Sequence, residues 1–241
     1  QQKNVITNKL DAKVDYYYVL NNTSNLNFTL GTTYSNQLFD SNIFQILDNG
    51  NRLDFNQSPT IGGETLPLRN DVNYTFTDAF LGLHYKVKTG QFIFTPGATL
   101  HNYNLRDTQL GTANSQNDWM VLPDLNVIWN IKKSESVRFN YSISAQYTDV
   151  NDYAEAFVFN NYNRLFRGNR NLENSLSHSY NLTYFSFNLF NYTNISGNLS
   201  YNRRINGFKN NTEIIAINQV SSPFNIESNF PDETFSAFAR F

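Results

Sequence analysis

Between Tyr153 and Arg170 the sequence gathers the side chains best suited to gripping a ligand. Tyr153, Tyr162, Arg164, Phe166, Arg167 and Arg170 set planar cations among aromatic rings. That mixture can hold a molecule by ring stacking and charge-assisted hydrogen bonds. The competing use of the same residues is loop packing, or arginines turned toward anionic lipid head groups. Other chemistry is sparse. His84, His101 and His178 lie far apart, without the ligand spacing of a zinc site, so no metal is expected. Asp48-Asn49-Gly50-Asn51-Arg52-Leu53-Asp54 lacks the spaced acids and closing Glu of a calcium loop and reads as a turn. Asp149, Asn151, Asp152 and Glu155 have the oxygens for a cation, but a solvated loop tip is the plainer reading. There is no Gly-x-Ser-x-Gly elbow, Walker loop or dinucleotide fingerprint. No catalytic residue, no cofactor and no enzyme activity are therefore expected. Asn-x-Ser/Thr triplets such as Asn140-Tyr141-Ser142 arise by chance in a chain with 39 asparagines.

What must position the Tyr153–Arg170 segment is a set of long strands. In Val137–Tyr147 the apolar or aromatic residues Val137, Phe139, Tyr141, Ile143, Ala145 and Tyr147 alternate with Arg138, Asn140, Ser142, Ser144 and Gln146. A period of two marks a β-strand with one oily and one wet face. The same pattern runs through Ile6, Leu10, Ala12, Val14, Tyr16, Tyr18 and Leu20, and through Leu26, Phe28, Leu30 and Tyr34. Strands of soluble proteins average about 5–6 residues, whereas a tilted strand crossing a bilayer needs about 9–11.

Composition sets the outer limits. A net charge of -2 disfavours nucleic acid as a partner, and the absence of cysteine removes disulfides and thiol chemistry. Charged residues make up only 16% against 15 Tyr and 21 Phe. AT-rich coding accounts for asparagine abundance but not for ordered alternation. No apolar run of about 18 residues exists, so no transmembrane helix is expected, and the mean hydropathy of -0.50 suits a barrel averaging lipid-facing and lumen-facing sides. Gln1-Gln2-Lys3-Asn4 is followed by no apolar segment of signal-peptide type.

About ten strands are predicted: 3–20, 25–39, 75–88, 91–104, 118–131, 137–147, 173–187, 190–205, 211–221 and 233–241. Asn21-Asn22-Thr23-Ser24, Lys88-Thr89-Gly90-Gln91 and Lys132-Lys133-Ser134-Glu135 are tight polar turns. The segments 40–73 and 149–171 read as long loops and 105–117 as a medium one. Short turns at one end and long loops at the other describe an outer-membrane barrel. Tyr16, Tyr17, Tyr18, Phe187 and Phe190 near strand ends suit an interfacial girdle. An open sheet would bare two edges in lipid, so missing strands are expected to complete the wall.

Asn161-Tyr162-Asn163-Arg164-Leu165-Phe166-Arg167-Gly168-Asn169-Arg170-Asn171-Leu172-Glu173 is followed by Leu176-Ser177-His178-Ser179-Tyr180. On these residues the chain, from Arg138 onward, resembles TonB-dependent outer-membrane receptors of the Bacteroidetes type. Gly168, Asn169 and Leu172 match a Gly-Asn-Pro-x-Leu element of that family's outer loops; Arg170 stands where the family has Pro. Tyr16-Tyr17-Tyr18 and Leu26-Asn27-Phe28-Thr29-Leu30-Gly31 are similar to the first strand pair of such barrels.

The expected fold is thus all-β, an antiparallel transmembrane β-barrel. Residues 1–241 are expected to form a partial barrel domain without a plug domain or signal peptide. The resemblance implies a 22-strand wall in the bacterial outer membrane and import of a siderophore, glycan or peptide. It also implies energy coupling by the TonB system through a plug. Further expected partners are outer-membrane lipid and a surface lipoprotein or other outer-membrane subunit. The alternatives are a passive porin-like barrel, a barrel subunit of a larger complex, and a soluble β-sandwich adhesin.

Overall fold

A computed structural model describes residues 1–54, 60–61, 64–65, 67–161, 163–188, 190, 192–215, 218–226 and 229–241. Strands β1 (Gln2–Asn21) and β2 (Ser24–Asn42) form the first hairpin. Short pieces β3 (Phe44–Ile46), β4 (Arg52–Asp54), β5 (Thr60–Ile61) and β6 (Glu64–Thr65) follow. The long strands resume with β7 (Arg69–Thr89), β8 (Phe92–Gln109), β9 (Thr112–Lys132) and β10 (Glu135–Gln146). A single helical turn α1 (Val150–Tyr153) precedes β11 (Val158–Asn161) and β12 (Arg164–Phe166). The chain then forms β13 (Ser175–Asn188), β14 (Thr193–Ile205), β15 (Phe208–Ile215), β16 (Asn218–Asn225) and β17 (Asp232–Arg240).

Among the described residues, nine strands form one antiparallel wall in the order β1-β2-β7-β8-β9-β10-β13-β14-β17. Antiparallel register puts directly opposed residues on the same face. One face therefore carries the row Val14, Leu30, Leu81, Leu100 and Val121 across five strands. A second row runs Leu125, Tyr141, Tyr180, Tyr201 and Phe235. Nothing among the described residues covers this outer face: Leu30, Leu81 and Val121 are all more than half exposed. A β-sandwich would bury it against a second sheet, so the sandwich alternative is excluded.

Trp119 and Trp129 lie on that face of β9, ten residues apart. Ten residues rise about 33 Å along a strand. Tilted by about 40°, that becomes about 25 Å, the height of an outer-membrane apolar band between its aromatic girdles. Trp129 stacks on Phe92 at 5.5 Å on the short-turn side, and Trp119, 69% exposed, marks the other side.

Four expectations need correction. The wall of nine strands among the described residues agrees with the expected ten or so, but 211–221 is not one of them: it falls on β15 and β16, which leave the wall. The last two wall strands are therefore joined by a long excursion, 206–231, not by short turns. The presumed loop 105–117 is continuous strand: β8 and β9 meet at Leu110 and Gly111, both at positive φ. Above Trp119 the outer face meets water and the inner face meets protein, so the oily side switches faces and the outward alternation fades. Phe187 opposes Asn194 with the parity of the inner-face serines, and Tyr17 opposes Asn27 beside Lys13 and Asp15, so neither belongs to a lipid-facing girdle.

Candidate functional site

The buried core lies on the inner face, at the long-loop end of the wall. Phe39, Val72, Tyr74, Phe76, Tyr103 and Leu105 form its floor. Val150, Tyr153, Ala154, Val158 and Leu172, from the segment between β10 and β13, form its lid. This loop folds inward across the wall instead of standing in solvent. Asp149 caps α1 by accepting from the Asn151 amide at 2.7 Å. Tyr153, fully buried, packs edge-on against Tyr74 with centroids 5.4 Å apart. The Tyr74 hydroxyl donates to the Thr148 carbonyl at 2.8 Å.

Two side-chain amides pair with the loop backbone as a neighbouring strand would. The Asn70 Nδ2 donates to the Ala156 carbonyl (3.1 Å), and its Oδ1 accepts from the Ala156 N–H (3.0 Å). The Gln109 Nε2 donates to the Tyr153 carbonyl (3.0 Å), and its Oε1 accepts from the Glu155 N–H (3.0 Å). Backbone groups buried without partners cost stability, so these amides let an irregular segment sit against the wall. Burial raises the Asp152 carboxyl, helped by the nearby Asp149 charge, and burial likewise raises the Tyr153 phenol.

Arg170 fastens the far end. Its Nε and Nη2 donate to Asp107 Oδ1 at 2.9 and 2.7 Å, and the Asp107 side chain is fully enclosed. Gly168 passes so close to α1 that a Cβ there would sit 2.5 Å from the Asp152 carbonyl oxygen and 2.6 Å from Ala154 N and O. All three are backbone atoms with little room to yield. Gly168→Ala is expected to weaken loop docking by about 1–3 kcal/mol, the usual range for overpacking. Faster amide exchange across 150–157, with unchanged exchange in β13 and β14, is the expected measurement.

The loop then joins a second sheet, β11-β12-β16-β15, in which β12 pairs parallel to β16. Excursions from two separate hairpins are thereby tied into one layer. Of the six sequence-predicted site residues, Tyr153 and Arg170 are committed to the loop–wall junction. Arg164 lies exposed on β12, beside the half-buried Phe166. The Arg167 guanidinium lies 5.9 Å from the Phe157 ring centre. Tyr162 lies outside the described residues. Asn169 donates its side-chain amide to the Pro223 carbonyl at 3.1 Å, so the Gly168-Asn169 element fastens one excursion to the other. Asn70, Gln109, Tyr74 and Asp107 were missed; their signal is an alternation whose oily members face inward.

Below the core the inner face changes character across the wall. On β1 and β2, Lys9 pairs with Asp11 and Lys13 with Asp15, both at 3.1 Å. Thr33 and Thr29 hydroxyls donate to those aspartates at 2.7 and 2.6 Å. His84 reaches over Gly97 on the intervening strand to Asp124 at 2.8 Å; a side chain at 97 would occupy the imidazole's place. From β9 onward amides and hydroxyls bond one another on this face, with Arg138 and Arg204 set among them. Asn126 bonds Asn140, Asn198 donates to Asn181 and Thr183 at 3.1 Å, and Ser200 meets Ser236 at 2.7 Å. His178 faces outward, bonded to the Tyr141 hydroxyl at 3.1 Å.

No family model matches the sequence, and no curated protein matches it. Solved structures do. The copper transporter OprC superposes with a TM-score of 0.66 at 8% identity, over 98% of this chain and 35% of its own. The hemophore receptor HasR of Serratia marcescens, solved with its hemophore HasA and heme, gives 0.63 at 11%, over 98% of this chain and 39% of its own. The FrpB iron transporter of Neisseria meningitidis gives 0.58 at 12%, over 92% and 31%. The chain thus spans about a third of the length of each of these proteins. Its fold is that of a section of antiparallel transmembrane β-barrel wall, as in these proteins.

Proposed function

We propose that this chain is a section of barrel wall from a TonB-dependent transporter of the bacterial outer membrane, importing a siderophore, glycan or peptide. The observation that carries the reading is the uncovered apolar outer face bracketed by Trp119 and Trp129, on a wall whose wet inner face is crossed by a folded outer loop. Unpaired strand edges are untenable in hydrocarbon, so further strands complete the barrel, as in the longer neighbours. Transport of copper and iron and reception of a hemophore, named for those neighbours, support import as the activity. Energy comes from the TonB system acting through a plug domain. Arg164, Phe166 and Arg167 contact the arriving solute, and the outer layer offers a seat for a surface lipoprotein or another outer-membrane subunit. The stretch around Gly168 and Asn169 supports kinship with the Bacteroidetes type.

The test is uptake by cells carrying the intact protein, with and without the inner-membrane coupling protein. Uptake is expected to vanish when coupling is lost, and planar bilayers are expected to show no large constitutive conductance. A steady open-pore current would instead identify a passive channel.

A further inference from the structure

Beneath the inward-folded loop, the inner faces of β1, β2 and β7 line a half-open recess of about 450 Å³. That lies within the range of about 300–1,000 Å³ typical of small-molecule sites. Tyr147 and Thr148 roof it on the outer side, and Thr148 is fixed there by the Tyr74 hydroxyl. The Phe76 and Tyr147 rings meet at 4.5 Å and supply an aromatic wall. Thr33, Ser35 and Gln37 supply hydroxyl and amide groups opposite.

Two charged groups also reach the recess, and both are already answered. Lys9 is paired with Asp11, and both oxygens of Asp78 lie 3.0 Å from His101 Nδ1. An entering charge would find no unpaired counter-ion, and enclosing one unpaired is costly. Rings and neutral hydrogen-bonding groups remain to recognise a ligand.

We infer that this recess is a binding subsite for an uncharged solute bearing hydroxyl or amide groups on an apolar framework, entered from the lumen beneath the loop. The inference rests on the transporter reading and narrows its substrate class. Sugar rings and peptide backbones share this chemistry; ferric chelates carrying net charge do not.

The test is calorimetric titration of the intact protein in detergent with maltotriose, N-acetyl-triglycine amide and ferric citrate. One of the two neutral probes is expected to bind, which also tells sugar from peptide, and ferric citrate is expected not to compete. Tyr147→Ala is expected to weaken that binding by about tenfold, one aromatic contact's worth. Ser35→Phe, which fills the recess, is expected to abolish it, with folding verified by heat-modifiable gel migration. Preference for ferric citrate, binding of neither neutral probe, or unchanged binding by folded Ser35→Phe overturns the subsite. Coupled uptake that survives Ser35→Phe removes the recess from the route and leaves the transporter standing. Binding without coupled uptake in the wild type sinks the transporter and leaves the recess.

Discussion

Arg170→Ala is expected to release the loop between β10 and β13 from the wall. The guanidinium is 14% exposed and answers a carboxylate with no exposure at all. Removing one partner of a buried pair costs about 3–5 kcal/mol, chiefly because the other charge stays behind unpaired. After the substitution, Asp107 Oδ1 keeps only the Gln109 amide, at 3.1 Å. Its Oδ2 has no partner among the described residues even in the intact protein. Water entry through an undocked loop relieves that cost, so the loop should open while the wall persists. Trypsin is then expected to cut at Arg164 and Arg167 much faster, with the wall still migrating as a folded barrel. Adding Asp107→Asn to Arg170→Ala should recover part of the loss, since the stranded charge is gone. Equal protease resistance in Arg170→Ala and wild type would show that the apolar core alone holds the loop.

Leu83→Arg is the second large effect, and it strikes the wall itself. Leu83 faces outward beside Phe28 and Ala98, four residues from the level of Trp119 and six from that of Trp129. An arginine at the midplane of the lipid face costs about 2–4 kcal/mol, and much less near an interface. The matched control is Thr75→Arg, on the same face of β7 above the apolar band. Folding into vesicles from urea is expected to shift to lower denaturant for Leu83→Arg and stay nearly unchanged for Thr75→Arg. Equal shifts would place the hydrocarbon elsewhere.

Sequence patterning was legible where one physical rule governed a whole strand. Between Trp119 and Trp129 lipid lies outside and water inside, so Val121, Leu125 and Val127 face out against Asp124 and Asn126 and fix strand, face and register together, with Leu122 and Ile128 as exceptions. It became illegible where the solvents exchanged sides. Val72, Tyr74 and Phe76 alternate just as strictly, but on the inner face, and their strand start was read as loop. Leu105 and Asp107, which continue the inner face of β8 beyond Tyr103, were read as loop as well. The loop chemistry was half legible: Arg170 was recognised as ligand-gripping, yet its carboxylate partner lies 63 residues away on β8, a distance no local pattern reports. Asn70 and Gln109 lie on those inward alternations, but the pattern does not report their pairing with the loop, because an amide that mimics a strand looks like any polar residue.

The parallel pairing of β12 with β16 has a consequence for assembly order. Arg164 opposes Gln219, so the bridge spans the entire β13–β14 hairpin. Contacts between sequence-distant segments form late, because the intervening chain must be ordered first. The outward layer can therefore close only after that hairpin has zipped. A lesion that slows β13–β14 would leave a finished-looking staves-and-floor intermediate with an unlatched crown, visible to surface proteases before any defect in insertion is measurable.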